Sequence, residues 1–351
     1  MREALTYDDV LLVPQYSDIR TRGEIDTASA LDENIRLKLP IIAAPMDTVT
    51  ESEMAYMMAK EGGLGIIHRY NDINEMATMV RELYSSLSKE EAKTPNIAVA
   101  VGVTGEFISR ASCAWENGAN IVCVDVAHGH HVLVKEAIAK LKAEFQGKLH
   151  IMAGNVATLE AFNALSDWGA DSVRCNIGGG SICSTRIKTG HGLPGLQTIF
   201  DCARSKRKSK IIADGGIRTS GDIVKALAAG ADFVMLGSML AGTQETPGAV
   251  YDSRTGDQYK IYRGMASKKA QMDWRGRSSS NEGIVSKIPY KGAAKALLDD
   301  LRSGITSGLS YSGCRSIEEL HRKAHFVRQT SASLNESHTH ILNKKNAKEI
   351  K

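Results

Sequence analysis

The most reactive residue type in this chain lies in an unusual setting, the run GGGSICSTR at residues 178–186. Cys183 follows three glycines, a serine and an isoleucine, and Thr185 comes two residues later. Glycine adopts backbone conformations that other residues resist, so this run is either a flexible surface turn or a backbone shaped around a ligand beside the thiol. A thiolate attacks electrophilic carbon, and nearby N–H groups or a cation lower its pKa. We predict that Cys183 is a nucleophile; a buried structural thiol is the alternative.

Groups that could move protons or hold a ligand lie elsewhere in the chain. Thr185 could relay a proton, and Glu282 could serve as general acid or base if its segment folds back over the thiol. A solvated surface carboxylate is the ordinary alternative for Glu282. Asp125 and Asp214 each end an apolar run, where a carboxylate suits hydrogen bonds to ligand hydroxyls.

Metal and disulfide chemistry are disfavoured. Three histidines crowd together in HGHH at 128–131, but no carboxylate or cysteine follows at the spacing of a metal site. The six cysteines form no C-x-x-C pair, which argues against structural zinc and a disulfide framework. Free thiols without a signal peptide predict a cytoplasmic protein.

Composition narrows the class of partner. The chain has 351 residues, 42% of them hydrophobic, and a net charge of +4, as expected of a globular protein that handles anionic metabolites. The basic run 204–210 has no interleaved aromatics, so we interpret it as a solvated helix end rather than a nucleic-acid surface. No stretch approaches the ~20 apolar residues of a membrane span. We expect neither nucleic-acid nor membrane binding.

Eight short β-rich runs, separated by amphipathic helical segments, indicate the fold. Most runs are continuously apolar, as strands buried on both faces should be. They are 39–45, 64–68, 96–101, 120–126, 149–153, 171–177, 210–214 and 232–236. Eight alternations of strand and helix predict an α/β protein with a TIM (β/α)8 barrel, and an open doubly wound sheet is the alternative.

A recurring short sequence motif supports the alternation of helices and strands. NGAN begins at 117, WGAD at 168 and AGAD at 229, each just before a predicted strand. A glycine that ends a helix and leads into the next strand is a C-cap. We therefore expect these glycines to end helices.

The loops after the predicted strands are rich in glycine. In a barrel the chemistry lies on these loops, and those after strands seven and eight commonly bind phosphate. Here they carry Gly215-Gly216 and Gly237-Ser238. Any one of these glycines could simply allow the chain to turn, but this explanation accounts poorly for all of the glycine-rich loops together.

The rest of the chain extends a single barrel domain, 1–351. Residues 262–292 are polar and rich in glycine and serine, which predicts a long loop or flap over the active site. Helices are expected at 292–301 and 316–323, and 338–351 is expected to be a disordered tail.

Seven longer motifs lie along nearly the whole chain: LTYDDVLLVPQYSDI (5–19), APMDTVTESEMA (44–55), EGGLGIIHR (61–69), AGNVAT (153–158), GGGSICSTR (178–186), IIADGGIRTSGDIVKALAAGADFVMLGSMLAGTQETPG (211–248) and YRGM (262–265). Together they resemble the IMP dehydrogenase/GMP reductase family, with no inserted CBS domains. The resemblance implies a barrel oxidoreductase in which a cysteine attacks C2 of a purine nucleotide and a nicotinamide cofactor exchanges hydride there. It also implies a homotetramer.

The resemblance assigns roles residue by residue. Catalytic roles fall on Cys183, Thr185 and Glu282. Substrate binding falls on Ser181, Asp214, Gly215, Gly216, Gly237, Ser238, Tyr262, Gly264, Met265 and Gly283. Cofactor binding falls on Arg69, Asp125, Val126, Ala127 and Asn155, and on Thr21 and Arg22. The carbonyl groups of Gly178, Gly180 and Cys183 match a potassium site, although Gly179 stands where the family usually has proline.

Within the family, the segment around the cysteine and the short flap favour NADPH-dependent reductive deamination of GMP to IMP. Between Met265 and Glu282 the flap lacks the Arg-Tyr pair that activates water in the dehydrogenases; the arginines of this segment are Arg275 and Arg277. NAD-dependent oxidation of IMP to XMP is the alternative. A flavin-dependent barrel oxidoreductase and a non-catalytic nucleotide sensor are the other classes considered.

Overall fold

A closed eight-stranded parallel barrel forms the body of the protein, as predicted. The computed structural model describes residues 2–89 and 94–339. The barrel strands are β1 (Ile41–Ala43), β2 (Leu64–Ile67), β3 (Ala98–Val101), β4 (Ile121–Asp125), β5 (His150–Val156), β6 (Ser172–Cys175), β7 (Lys210–Asp214) and β8 (Phe233–Leu236). They pair in chain order, and β8 closes the barrel on β1.

Helices surround this barrel. They are α1 (Ser52–Lys60), α2 (Ile73–Ser88), α3 (Phe107–Glu116), α4 (Val132–Phe145), α5 (Leu159–Trp168), α6 (Thr185–Thr189), α7 (Gly195–Cys202) and α8 (Ser220–Ala228). The continuous apolar strands are explained by two cores, because one strand face meets the helices and the other fills the barrel interior. No helix in the described ranges is long and apolar enough to cross a membrane.

The repeated Gly-Ala-Asn/Asp motif links neighbouring strand–helix units of the barrel. Its glycines, Gly118, Gly169 and Gly230, have φ of 110°, 109° and 113°, which confirms the predicted helix ends. The following polar side chain adds a bond that the sequence did not suggest. Asn120, Asp171 and Asp232 each accept the N–H of a residue within one position of the start of the preceding strand, at 2.7–2.9 Å.

A hairpin that precedes the barrel closes its floor. Short strands at Ser29–Ala30 and Arg36–Leu37 pair antiparallel. Leu31, Ile35 and Leu37 enter the apolar cluster inside the barrel. The amino-terminal end of the barrel is therefore filled by side chains, and a ligand must enter from the opposite end.

The chain beyond β8 builds the wall above the barrel mouth. A three-stranded sheet contains β9 (Tyr251–Asp252), β10 (Gln258–Arg263) and β11 (Val285–Pro289). The predicted flap, 262–292, is more regular than a loop, since it contains α9 (Lys268–Arg275) and β11.

Three more helices follow the flap: α10 (Ala294–Tyr311), α11 (Ile317–Lys323) and α12 (Ser331–Glu336). The expected helices at 292–301 and 316–323 therefore exist, and the first runs ten residues further. The strand Phe326–Arg328 returns to pair with Val10–Leu12. Residues 340–351 of the expected tail lie outside the described residues.

Candidate active site

A hydrogen-bonded chain joins the three predicted catalytic residues. The Cys183 Sγ donates to Thr185 Oγ1 at 3.1 Å, and Thr185 Oγ1 donates to Glu282 Oε2 at 2.8 Å. Cys183 lies on the loop after β6, and Thr185 opens α6 at the end of that loop. The carboxylate can thus reach the thiol and its surroundings through one hydroxyl, which is suitable geometry for proton transfer.

Glu282 is held there by the backbone of the flap. Ser184 N–H donates to Glu282 O at 2.9 Å, and Ile284 N–H donates to Ile182 O at 3.0 Å. Cys183 and Gly283 form an isolated antiparallel bridge between these two bonds. The flap is therefore folded back onto the cysteine loop, which is the condition that the sequence analysis set for Glu282.

A cavity of about 400 Å³ opens beside the thiol at the carboxyl-terminal end of the barrel. Most of the predicted site residues line it. They are Arg69, Asp125, Val126, Ala127, Asn155, Gly178, Gly180, Cys183, Thr185, Asp214, Gly215, Tyr262, Gly264, Met265, Glu282 and Gly283. The structure thus brings together residues from the carboxyl ends of five barrel strands and from the flap, as the barrel prediction requires.

Arg174, which the sequence analysis did not assign, organises the carboxylates of the cavity. Its guanidinium bonds Asp125 Oδ1 at 2.6 Å and Asp214 Oδ2 at 2.9 Å. Arg69 bonds the other oxygen of Asp125 at 3.3 Å. Burial raises the pKa of Asp125, but Arg174 and Arg69 outweigh it and hold that pKa below its ordinary value. A charged residue inside the apolar strand DSVRC was the available signal.

Asn155 and Asp214 share a bond that leaves one oxygen of each for a ligand. Asn155 Nδ2 donates to Asp214 Oδ2 at 2.7 Å. Asn155 Oδ1 is buried and has no partner in the described part of the chain. Every bond found for the Asp214 side chain uses Oδ2, so Oδ1 is available to accept a ligand hydroxyl.

The predicted phosphate loops meet next to Tyr262. Gly215 and Gly216 have φ of 78° and 76°, which only glycine adopts easily. A Cβ at Gly237 would lie 3.0 Å from the Tyr262 hydroxyl. Burial raises the pKa of Tyr262 to about 12 despite its hydrogen bond with Ser181, so the hydroxyl keeps its proton at neutral pH.

Some assigned residues do not line the cavity. Gly216, Gly237, Ser238 and Ser181 lie adjacent to lining residues rather than in the wall itself. Thr21 and Arg22 belong to a surface turn, where Glu24 accepts the Thr21 N–H at 3.0 Å. The structure therefore does not place these two residues at the cavity.

Asn176 explains why the loop carries Gly179. Its Nδ2 donates to Asp214 O at 3.0 Å and Gly215 O at 3.3 Å, which ties the loop after β6 to the loop after β7. A Cβ at Gly179 would lie 2.0 Å from this amide nitrogen, so any larger residue there would displace Asn176. The departure from the family pattern at Gly179 is thus matched to the side chain of Asn176.

The flap helix α9 rests on loops of the barrel mouth. Trp274 stacks on Tyr70 with ring centroids 5.8 Å apart and an interplanar angle of 11°. Arg263 bonds Asp47, after β1, at 2.6 Å, and also bonds Asp273 in α9. Gln271 and Arg275 of this helix reach the cavity wall.

Within residues 2–89 and 94–339, no three His, Cys, Asp or Glu side chains are grouped to hold a metal ion. The carbonyl groups proposed for potassium lie on the cysteine loop, where Gly180 O accepts the Cys183 N–H at 3.0 Å. Backbone carbonyl groups are ligands of the type that alkali cations use.

Fold and site together define an enzyme class: a (β/α)8 barrel with a cysteine at its mouth, hydrogen-bonded through a threonine to a carboxylate, and with glycine-rich turns after β7 and β8. Comparison with known proteins makes this more specific. The model of the IMP dehydrogenase / GMP reductase domain matches residues 4–340. The chain belongs to this family of oxidoreductases.

Relatives within the family carry both names. An inosine-5'-monophosphate dehydrogenase of Nitrosopumilus maritimus is 32% identical, and a GMP reductase of Leishmania major is 34% identical; each alignment covers 97% of this chain and 98% of the relative. The crystal structure of a cysteine-to-alanine variant of GMP reductase from Trypanosoma brucei, in complex with guanosine 5'-monophosphate, superposes with a TM-score of 0.91. That protein is 32% identical, over 97% of this chain and 98% of its own.

The alignments also concern the absence of inserted CBS domains from this sequence. They extend over 470 and 481 positions, more than the 351 residues of this chain, so both relatives contain residues without a counterpart here. Because a reductase and a dehydrogenase share this property, the absence of an insertion does not separate the two reactions.

Proposed function

We propose that this protein catalyses the reductive deamination of GMP to IMP and ammonia with NADPH. The observation that carries the proposal is the chain Cys183–Thr185–Glu282, closed by a flap that contains no Arg-Tyr pair between Met265 and Glu282. A dehydrogenase must activate water to hydrolyse its covalent intermediate, whereas a reductase must protonate departing ammonia. One hydroxyl and one carboxyl group beside the thiol suit the second task.

The first half of the reaction uses this chain's own residues. Cys183 Sγ adds to C2 of GMP, and the 2-amino group leaves as ammonia after taking a proton through Thr185 and Glu282. A thioimidate on Cys183 remains. Asp214 Oδ1 is available to the ribose hydroxyls, and the turns at Gly215-Gly216 and Gly237-Ser238, with Ser181 and Tyr262, are available to the 5'-phosphate.

The second half consumes the reduced cofactor. When bound, NADPH would supply a hydride to C2, and Cys183 would leave as the thiolate as the C–S bond breaks. In sum, GMP, NADPH and two protons give IMP, NADP⁺ and an ammonium ion. The residues that would hold the cofactor are Arg69, Asp125, Val126, Ala127 and Asn155, and the unpartnered Asn155 Oδ1 fits a carboxamide donor.

Three further assignments accompany this function. The carbonyl groups of Gly178, Gly180 and Cys183 would hold a potassium ion, whose positive charge would stabilise the cysteine loop. The protein would act in the cytoplasm as a homotetramer, and neither nucleic acid nor membrane would be a partner.

Oxidation of IMP to XMP with NAD is the second candidate, and Arg275 is the observation in its favour. It lies in the cavity wall on the flap, where a guanidinium could act on water. Arg275 is hydrogen-bonded to Gln271 and Ser279, so it is already engaged within the flap.

One assay distinguishes the two reactions. The purified enzyme is incubated with GMP and NADPH, and separately with IMP and NAD, while absorbance of the reduced nicotinamide is followed. Loss of absorbance in the first mixture without gain in the second supports the reductase. The opposite result would contradict it. The matched variants Cys183→Ala and Cys113→Ala show whether the absorbance change requires the Cys183 thiol. A non-catalytic nucleotide sensor would retain its function in both variants.

A further inference from the structure

Lys291, just after β11, is hydrogen-bonded to the turn that follows β8. Its Nζ donates to Ser238 O at 2.8 Å and to Met239 O at 2.9 Å. Its backbone N–H donates to Gly242 O at 2.9 Å. The ammonium group thus fixes two consecutive carbonyl groups of one of the two predicted phosphate turns.

Fixing these carbonyl groups also fixes the direction of the N–H groups. In a trans peptide the C=O and the following N–H point to opposite sides. With Ser238 O and Met239 O turned toward Lys291, the N–H groups of Met239 and Leu240 face away from it. Gly237 O accepts the Ala241 N–H at 2.8 Å, which turns the Ser238 N–H in the same sense.

These three N–H groups are available to an anion. None of Ser238, Met239 and Leu240 has an acceptor for its N–H in the described part of the chain. The Tyr262 hydroxyl lies beside the same turn, next to Gly237. Adjacent, parallel N–H groups together with a hydroxyl are the arrangement that binds a phosphate.

We propose that Lys291 is a positioning residue for the 5'-phosphate of the substrate: it holds the turn after β8 with its N–H groups presented to the phosphate, and adds a positive charge behind them. This inference rests on the proposed nucleotide substrate, but it does not depend on which reaction follows. The ammonium would act through the turn and would not touch the purine.

The same strand offers a matched control. Lys287 lies in β11, and its Nζ lies 4.3 Å from the centroid of the Tyr259 ring. Lys287→Met removes the same charge as Lys291→Met but no bond to the turn. Lys291→Gln, which keeps an uncharged amide donor, is made in parallel in case the methionine variant folds poorly.

The test measures binding of GMP and of guanosine by calorimetry, together with KM and kcat for GMP. We expect Lys291→Met and Lys291→Gln to weaken GMP binding and raise its KM about tenfold, the effect of losing charge-assisted hydrogen bonds. Guanosine, which lacks the phosphate, should bind all variants alike. Lys287→Met should match the wild type in both ligands.

Equal weakening of GMP and guanosine would indicate a merely structural role and overturn the inference. The inference would also be overturned if both Lys291 variants bound GMP as tightly as Lys287→Met does. Because calorimetry needs no turnover, a wild type that binds GMP more tightly than guanosine but catalyses neither reaction would contradict the proposed function alone. A wild type that binds the two ligands equally would contradict the phosphate site and therefore this inference.

Discussion

The two ends of the barrel each hold a hydrogen-bonded chain of three polar side chains. At the mouth, Cys183, Thr185 and Glu282 are linked at 3.1 and 2.8 Å. At the floor, Ser172 and Asp32 flank His150 at 2.8 and 2.6 Å. By distances alone, the floor has the hydrogen-bonded arrangement of a Ser-His-Asp hydrolase site.

Access distinguishes the two chains. Ser172 and the His150 side chain are fully buried beneath the hairpin that closes the floor, whereas the thiol opens into the cavity. Asp32 lies in that hairpin and His150 begins β5, so their bond attaches the hairpin to the barrel. The comparison teaches that hydrogen-bonded geometry identifies a functional site only where a substrate can reach it.

The largest expected difference is in turnover. Cys183→Ala should lower kcat by at least ~10⁴-fold because the covalent route is lost. Ser172→Ala should leave kcat within about twofold of the wild type. Both are measured by nicotinamide absorbance with saturating nucleotide. Residual activity above about one per cent in Cys183→Ala would show that the thiol is not the nucleophile.

Removing the carboxylate at the mouth should have the next largest effect. Glu282→Gln should lower kcat about 10²- to 10³-fold, because a general acid is lost while the flap backbone still holds its place. KM for GMP should change little. Asp32→Asn is the control, and its kcat should stay near the wild-type value under folding conditions. A KM effect as large as the kcat effect in Glu282→Gln would contradict a proton-transfer role.

At the floor the effect should be on stability. Asp32→Asn should lower the free energy of unfolding by about 1–3 kcal/mol, because a buried imidazole loses a charge-assisted bond. Burial raises the Asp32 pKa, but the bonds from His150, Asn34 and Ile35 outweigh it and lower that pKa overall. A carboxylate whose pKa is lowered by folding stabilises the fold above about pH 4. This stabilisation is lost as the pH falls through the pKa of the folded state.

Urea unfolding of wild type and Asp32→Asn across pH 3–7 therefore provides the check. The difference between them should be largest near neutral pH and shrink in acid. A constant difference across this range would show that the carboxylate charge is not involved.

The smallest effect concerns how the flap rests on the mouth. Trp274→Ala removes the stack on Tyr70, which is worth about 0.5–1.5 kcal/mol, so kcat/KM should fall roughly two- to tenfold. Trp115→Ala is a matched control, since Trp115 and Trp274 are each 40% exposed and Trp115 lies on α3, away from the cavity. Equal effects of the two substitutions on kcat/KM would mean that the stack does not position the flap.

The barrel could be predicted from sequence because its signals are local and repeated. Eight apolar runs and three Gly-Ala-Asn/Asp motifs each reflect contacts within one unit or with the next. The Cys183–Thr185–Glu282 chain was also predictable, since Cys183 and Thr185 share a loop and the resemblance to the family assigned a role to Glu282 in the flap. Only the structure shows the backbone bonds that bring Glu282 to Thr185.

What the sequence did not reveal depends on long-range contacts. Arg174 is a single charge in an apolar strand, and its two carboxylate partners lie 49 and 40 residues away. The floor hairpin is too short to show a periodic pattern. Helix α9 is polar, and its position depends on contacts such as Trp274 with Tyr70 that cannot be read from neighbouring residues.

The bonds of Glu282 and Ile284 to the cysteine loop make activity a measure of a conformational equilibrium. Undocking the flap would remove the carboxylate and part of the cavity wall in one event. The observed kcat would then equal the rate of the docked form multiplied by its population. A nucleotide that contacts both the barrel loops and the flap binds the docked form more tightly, and so raises that population as it binds.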